Sequence, residues 1–270
     1  MFEGTIGCEW GRATERLSRS TLHALLRCDI PAIHVAGLAG ARECESFLAV
    51  VRNAPGRAAD TSPMQLVGSN FSNHHGADKH DYFQTVADSR RNLRTLTDAS
   101  FDPVERVRSQ LAAHWPGAVR IADEGPPYGC YFAGCVKTRV AGSALHYDYA
   151  PDMVSGYAIS DIRAQLSWNV YLQMPSGTGE TTLYNKIVDP KRDLREREPG
   201  AGVRWNNLVN PGAVLGCESY TFKGRSGELV LFNTRCPHTV SVEAAGEHER
   251  RTQIGGFAGL TRSNDLILWS

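Results

Sequence analysis

Residues 219–257 read SYTFKGRSGELVLFNTRCPHTVSVEAAGEHERRTQIGGF. Four short runs within them, 219–222, 228–232, 239–242 and 252–257, are rich in β-branched, aromatic and aliphatic residues. The stretch 223–227 (KGRSG) separates the first two. Such runs suit a pleated, half-buried surface, and such connectors reverse the chain, so the spacing predicts strands. The same texture starts near Tyr128: 131–140, 165–172 and 181–184 read as further strands, and 141–143, 175–179 and 210–212 as turns. Many short strands joined by Gly- and Pro-rich turns predict a β-sandwich or a jelly roll.

The first third reads differently. Cys44, Phe47, Leu48 and Val51 recur at i, i+3, i+4 and i+7, which predicts an amphipathic helix over 41–53. A second helix starts at Asp102, with Pro103 at its first position, Glu105 completing a capping box, and Val104, Val107 and Leu111 as the buried stripe. Pro116-Gly117 ends it. Between these helices, 67–82 is polar and without period and reads as a long loop of the kind that closes over sites. The mixed-sign stretch 189–198 (DPKRDLRERE) reads as a solvated insertion. The fold expected is mainly β (α+β), one domain over 1–270, with a helical flank over about 1–127 and a β-core over about 128–270.

Composition narrows the function. Twenty-nine basic residues balance twenty-nine acidic ones, so the chain carries no electrostatic footprint for nucleic acid and no polybasic membrane patch. No apolar run approaches the length of a membrane span. Seven scattered cysteines are an odd number and argue for reduced thiols in the cytoplasm rather than a disulfide framework.

Two places combine metal-ligand residues with suitable local geometry. In Leu145-His146-Tyr147-Asp148-Tyr149 an imidazole and a carboxylate stand two apart, which in a strand sets them on one face. In Asn233-Thr234-Arg235-Cys236-Pro237-His238 the proline stiffens the backbone that presents His238. Two histidines and one carboxylate make the facial triad of non-haem Fe(II) sites, which leaves positions open for other ligands. Either half alone recurs by chance, and an isolated histidine is more often a satisfied or solvated one. The weight comes from a third element: Glu249-Arg250-Arg251-Thr252 opens a strand 12–13 residues after His238, and Arg250 and Thr252 would share a face suited to a carboxylate. Cys236 beside the ligand reads as a small buried hydrophobe rather than a fourth donor.

This order of elements resembles the Fe(II)- and 2-oxoglutarate-dependent oxygenases: His-x-Asp, a distant His, then an Arg. The resemblance extends to 134–148 (GCVKTRVAGSALHYD), 179–186 (GETTLYNK) and 227–238 (GELVLFNTRCPH), and more loosely to 29–51. It is strongest toward small bacterial and fungal members that act on free amino acids and other small metabolites, some of which are halogenases. The resemblance implies a double-stranded β-helix, a jelly roll braced by helices, with His146, Asp148 and His238 as Fe(II) ligands and O2 as oxidant. It also implies that the far carboxylate of 2-oxoglutarate pairs with Arg250, assisted by Thr252. Arg251 is the fallback, because a one-residue slip exchanges the faces of a strand. Halogenase relatives hold Gly or Ala where Asp148 stands, so an oxygenase outcome is implied: hydroxylation, desaturation or ring closure.

The partner expected is a small molecule, and the segment near Asn185 resembles one in the amino-acid-oxidising relatives, which implies a free amino acid or a derivative. Candidate contacts are His74, His75, Arg139, Tyr147, Asp152, Trp168 and Tyr184. Trp168, within an apolar run, reads more readily as core, and the two histidines as solvated loop residues. Two other readings compete. A cupin-like metalloenzyme without 2-oxoglutarate would bring three or four histidines from two short motifs, and a metal-free jelly-roll binding module would leave the His146/Asp148 pair unexplained.

Overall fold

Two sheets form where the β-prone runs lie. A computed structural model of the chain describes residues 10–14, 16–53, 64–74, 78–139, 141–196, 207–243 and 250–270. The strands are β1 (Ala32–Val35), β2 (Met64–Val67), β3 (Val119–Ile121), β4 (Cys135–Arg139), β5 (Ala141–His146), β6 (Ile162–Gln173), β7 (Thr181–Tyr184), β8 (Ser219–Phe222), β9 (Leu229–Asn233), β10 (His238–Glu243), β11 (Arg251–Thr261) and β12 (Leu266–Trp269). The larger sheet runs β1-β9-β6-β11-β12-β3, with β4 alongside β11 and β2 alongside β4. The smaller sheet runs β5-β10-β7-β8. This is the jelly-roll arrangement of two facing sheets.

Strand β6 shows how sequence builds the two sides. Leu166, Trp168, Val170 and Leu172 join the core beneath the helices, together with Leu22, Leu25, Phe47 and Val107. Ser167 and Asn169 alternate with them and turn to the space between the sheets. Trp168 is fully buried, and its indole N–H donates to the Phe257 carbonyl at 3.1 Å. It is a core residue and does not line the cavity, which corrects its candidacy as a substrate contact. Gly227 sits at φ +79° in the turn before β9, and a Cβ there would meet the Ala39 carbonyl oxygen at 2.1 Å. Only glycine fits that approach.

The helices α1 (Arg19–Leu26), α2 (Ala41–Arg52), α3 (Lys79–Asp98) and α4 (Pro103–His114) flank the larger sheet. Helix α2 buries Cys44, Phe47, Leu48 and Val51, as its spacing predicts. At α4 the Asp102 side chain accepts from the Glu105 amide, but the Glu105 carboxylate takes Arg108 and Ser109 instead of closing the capping box. The flank is not purely helical: β1, β2 and β3 leave it to join the larger sheet. The segment 67–82 is also more regular than expected, with a 3-10 turn at Phe71–His74 and the first turn of α3. Helix α3 escapes periodicity because it buries only Tyr82, Val86, Ser89 and Leu96 over twenty residues. Among the described residues no helix is long and apolar enough to cross a membrane.

Candidate metal centre and its cavity

The register of the smaller sheet brings the two imidazoles together. His238, the first residue of β10, is the cross-strand partner of His146, the last residue of β5. Directly opposed residues of an antiparallel pair hold their Cβ atoms about 5 Å apart, and here the ring centroids are 4.1 Å apart. Asp148 lies just beyond β5 rather than within the strand. Its amide donates to the Thr234 carbonyl at 2.9 Å, which returns the carboxylate to the side of the histidines. The Asp148 Oδ2 atom is 3.8 Å from His146 Nε2 and 3.6 Å from His238 Nε2. One donor atom from each of the three residues lies within 4.8 Å of the others.

The backbone sets which nitrogen of each ring faces the carboxylate. His146 Nδ1–H donates to the Ala144 carbonyl at 2.7 Å, and His238 Nδ1–H donates to the Cys236 carbonyl at 3.0 Å. A carbonyl can only accept, so both Nε2 lone pairs are left for a ligand. Burial lowers the pKa of His146 to about 4, with the neighbouring His238 adding to the effect, so its imidazole is neutral at physiological pH. Burial pushes the Asp148 carboxyl up, but its two imidazole neighbours and Lys137 outweigh it and hold the group well below the usual carboxylate range. Two imidazoles that turn Nε2 toward one ionised carboxylate fit a first-row divalent metal such as ferrous iron.

Asn207 completes this centre, and nothing in the sequence singles it out. Its amide donates to Asp148 Oδ1 at 3.2 Å, leaving Oδ2 to the imidazoles. It is held there by the chain around it: the Tyr147 amide donates to the Asn207 carbonyl, and Leu208 bridges to His146. The mixed-charge stretch fastens the same segment, since Leu194 bridges to Val209 and the Asn210 amide donates to the Asp193 carbonyl. Asp193 is buried with Lys186 at 3.3 Å, so this part of the stretch is not simply solvated. An Asn207→Ala chain is expected to bind ferrous iron about 10- to 100-fold more weakly by anaerobic titration. An unchanged affinity would show that Asp148 needs no such support.

The cavity beside the three residues is walled by β4, β6, β7 and β11 and is cationic. Lys137, Arg139 and Arg251 line it, with Ser143, Ser167, Asn169, Thr181 and Gln253. Strand β11 alternates with Arg251 and Gln253 inward, while Thr252 is buried on the other face, where its hydroxyl meets that of Thr138 at 3.2 Å. Arg250 precedes the strand and does not line the cavity. Of the expected residues, the fallback Arg251 lines the cavity, with the Thr181 hydroxyl beside it, while Arg250 and Thr252 do not. Arg251 donates to Tyr171 Oη at 3.1 Å and Thr181 Oγ1 at 3.3 Å and lies over the Tyr171 ring. Four buried polar atoms of this wall, Arg139 Nε, Ser143 Oγ, Arg251 Nε and Gln253 Oε1, have no hydrogen-bond partner. Buried donors are rarely left so, and guanidinium groups with free N–H suit the carboxylates of 2-oxoglutarate.

The other candidates are placed elsewhere. Tyr147 is buried beside Val188 and Val209, and it pairs with Asp152, whose carboxyl burial pushes up. Tyr184 neighbours Leu183, which faces the core between the sheets, so Tyr184 takes the opposite face. His74 packs its ring against Tyr82 and does not line the cavity. His75 lies outside the described residues. Cys236 is buried, with its sulfur 3.3 Å from that of Cys28 rather than toward the histidines.

Comparisons with known proteins agree with this geometry. A family model described as carrier-protein-independent halogenase WelO5 matches residues 16–270. A leucinostatins biosynthesis cluster protein S from Purpureocillium lilacinum is 32% identical over 219 residues, covering 77% of this chain and 86% of that protein. An L-gamma-glutamyl-L-propargylglycine hydroxylase from Streptantibioticus cattleyicolor is 27% identical over 191 residues, 70% of this chain and 67% of that one. The solved structure of an N-substituted L-amino acid dioxygenase from Burkholderia ambifaria shares the fold, with a TM-score of 0.59 at 15% identity over 93% of this chain and 91% of that one.

Proposed function

This chain belongs to the WelO5 family, and from that premise we propose that it oxidises an aliphatic C–H of an amino-acid derivative. It is an Fe(II)- and 2-oxoglutarate-dependent oxygenase of small molecules. In the proposed assignment His146, Asp148 and His238 hold the iron, and Arg251 takes the far carboxylate of 2-oxoglutarate, with its cross-strand neighbour Arg139 beside it. The observation that carries the reading is the meeting of the three donor groups within 4.8 Å beside that cationic wall. Bound iron with 2-oxoglutarate and O2 supplies the oxidant, and succinate and CO2 are released.

What remains is the work of the chain. The carbonyls of Ala144 and Cys236 hold both rings in the ligating tautomer. Asn207 orients the carboxylate, and Tyr171 and Thr181 hold the Arg251 guanidinium in place. The carboxylate of Asp148 occupies the position that would have to be vacant for a halide, which supports oxygenation over halogenation despite the family's description. An amino-acid derivative is supported by the relative named as a hydroxylase of a γ-glutamyl amino acid. The odd number of scattered cysteines supports a cytoplasmic location.

Anaerobic addition of Fe(II) and then 2-oxoglutarate tests the centre without any knowledge of the substrate. Chelation of the ion by the keto acid is expected to produce a visible charge-transfer band that neither component gives alone. A protein that binds iron but shows no band would favour the cupin-like reading, and one that binds neither would favour the binding module.

A further inference from the structure

We propose that Lys137 anchors a carboxylate of the substrate, so that the enzyme takes an organic anion. The proposal rests on the oxygenase reading above and deepens it. In the register of β4 with β11, Arg139 stands opposite Arg251 and Lys137 opposite Gln253. Residues two apart on a strand share a face at a separation of about 7 Å. Lys137 therefore lines the same cavity as the arginine pair but one pleat away from it.

The two arginines face one another across the ladder, an arrangement of like charges that an anion between them relieves. That place suits the far carboxylate of 2-oxoglutarate, and it leaves Lys137 over. The Lys137 ammonium, with three N–H donors, makes no hydrogen bond or ion pair among the described residues. Asp148 is the only carboxylate among the described residues lining the cavity. With iron and the cosubstrate in place, three side-chain cations and a divalent ion face one carboxylate of the chain and two of 2-oxoglutarate. Positive charge remains in excess in a sheltered space, where an unpaired charge is costly. A carboxylate on the substrate supplies a partner for that charge. An ammonium group would find no acid there other than the metal-holding Asp148.

A matched pair of small probes tests this: 4-methylpentanoate and its neutral isostere 4-methylpentanamide, each titrated anaerobically into the protein loaded with Fe(II) and 2-oxoglutarate. The charge-transfer band is followed together with the dissociation constant of 2-oxoglutarate. The acid is expected to shift the band at a concentration at least about tenfold below that needed by the amide. Lys137→Met should abolish that preference and leave the affinity for 2-oxoglutarate within about twofold, whereas Lys137→Arg should keep the preference. Equal responses to acid and amide in the unmodified protein would overturn the proposal, and that comparison requires no variant to fold. So would bleaching of the band by the acid, which means competition with 2-oxoglutarate, or a tenfold weaker 2-oxoglutarate affinity in Lys137→Met, which assigns the lysine to the cosubstrate. Absence of any band in the unmodified protein would instead sink the oxygenase reading on which the proposal rests.

Discussion

Replacing His238 with alanine is expected to lower iron-dependent succinate formation at least about 1,000-fold, equivalent to roughly 4 kcal/mol of transition-state stabilisation. The imidazole is buried, its Nδ1–H is spent on the Cys236 carbonyl, and its Nε2 is 3.6 Å from Asp148. Removing it takes away one of three donors and leaves the Asp148 carboxylate without the neighbour that helps to keep it ionised. The ring also rests edge-on against Phe232 at 5.1 Å, so some loss of stability accompanies the change. Thermal unfolding of the variant separates the two effects: the expected protein melts cooperatively, a few degrees lower, and fails to bind iron. Turnover within tenfold of the unmodified enzyme would remove His238 from the centre.

The second large effect concerns the cosubstrate. Arg251→Ala is expected to raise the 2-oxoglutarate concentration for half-saturation by about 10- to 100-fold, or roughly 1.4 to 3 kcal/mol. Arg250→Ala should change it by no more than about twofold. The difference follows from parity alone: Arg251 is buried among Tyr171, Thr181 and Arg139, while Arg250 stands before the strand and outside the cavity wall. Arg251→Lys should recover only part of the loss, because an ammonium cannot offer two parallel N–H donors. The reverse ranking, with Arg250 the sensitive position, would mean that the register of β11 differs from the one described.

How far the sequence could be read depends on what each feature encodes. The strands after Tyr128 and the helix over 41–53 carry their own periodicity, and the two histidines with Asp148 declare themselves by residue type. The choice between Arg250 and Arg251 was not legible, because adjacent arginines give no parity of their own; it is set by Thr252 meeting Thr138 across the ladder. Helix α3 hides because its exposed faces are polar nearly all round. Strands β1 and β2 hide because pairing with β9 and β4 lies far along the chain. Asn207 acts only through a contact 59 residues away. Lys137 was legible in principle: Lys137-x-Arg139 in a predicted strand already places two cations on one face, and only the identity of the opposing strand was missing.

The two imidazoles are members of a hydrogen-bonded ladder, whereas Asp148 hangs just past its end. Exchanging either histidine alters a directly opposed cross-strand pair, whereas exchanging the acid touches no paired position of the ladder. In the proposed assignment, a change at this one acid alters the ion's open positions while every paired position of the sheet is kept. The carboxylate is the interchangeable part of this machine, and the histidines are its chassis.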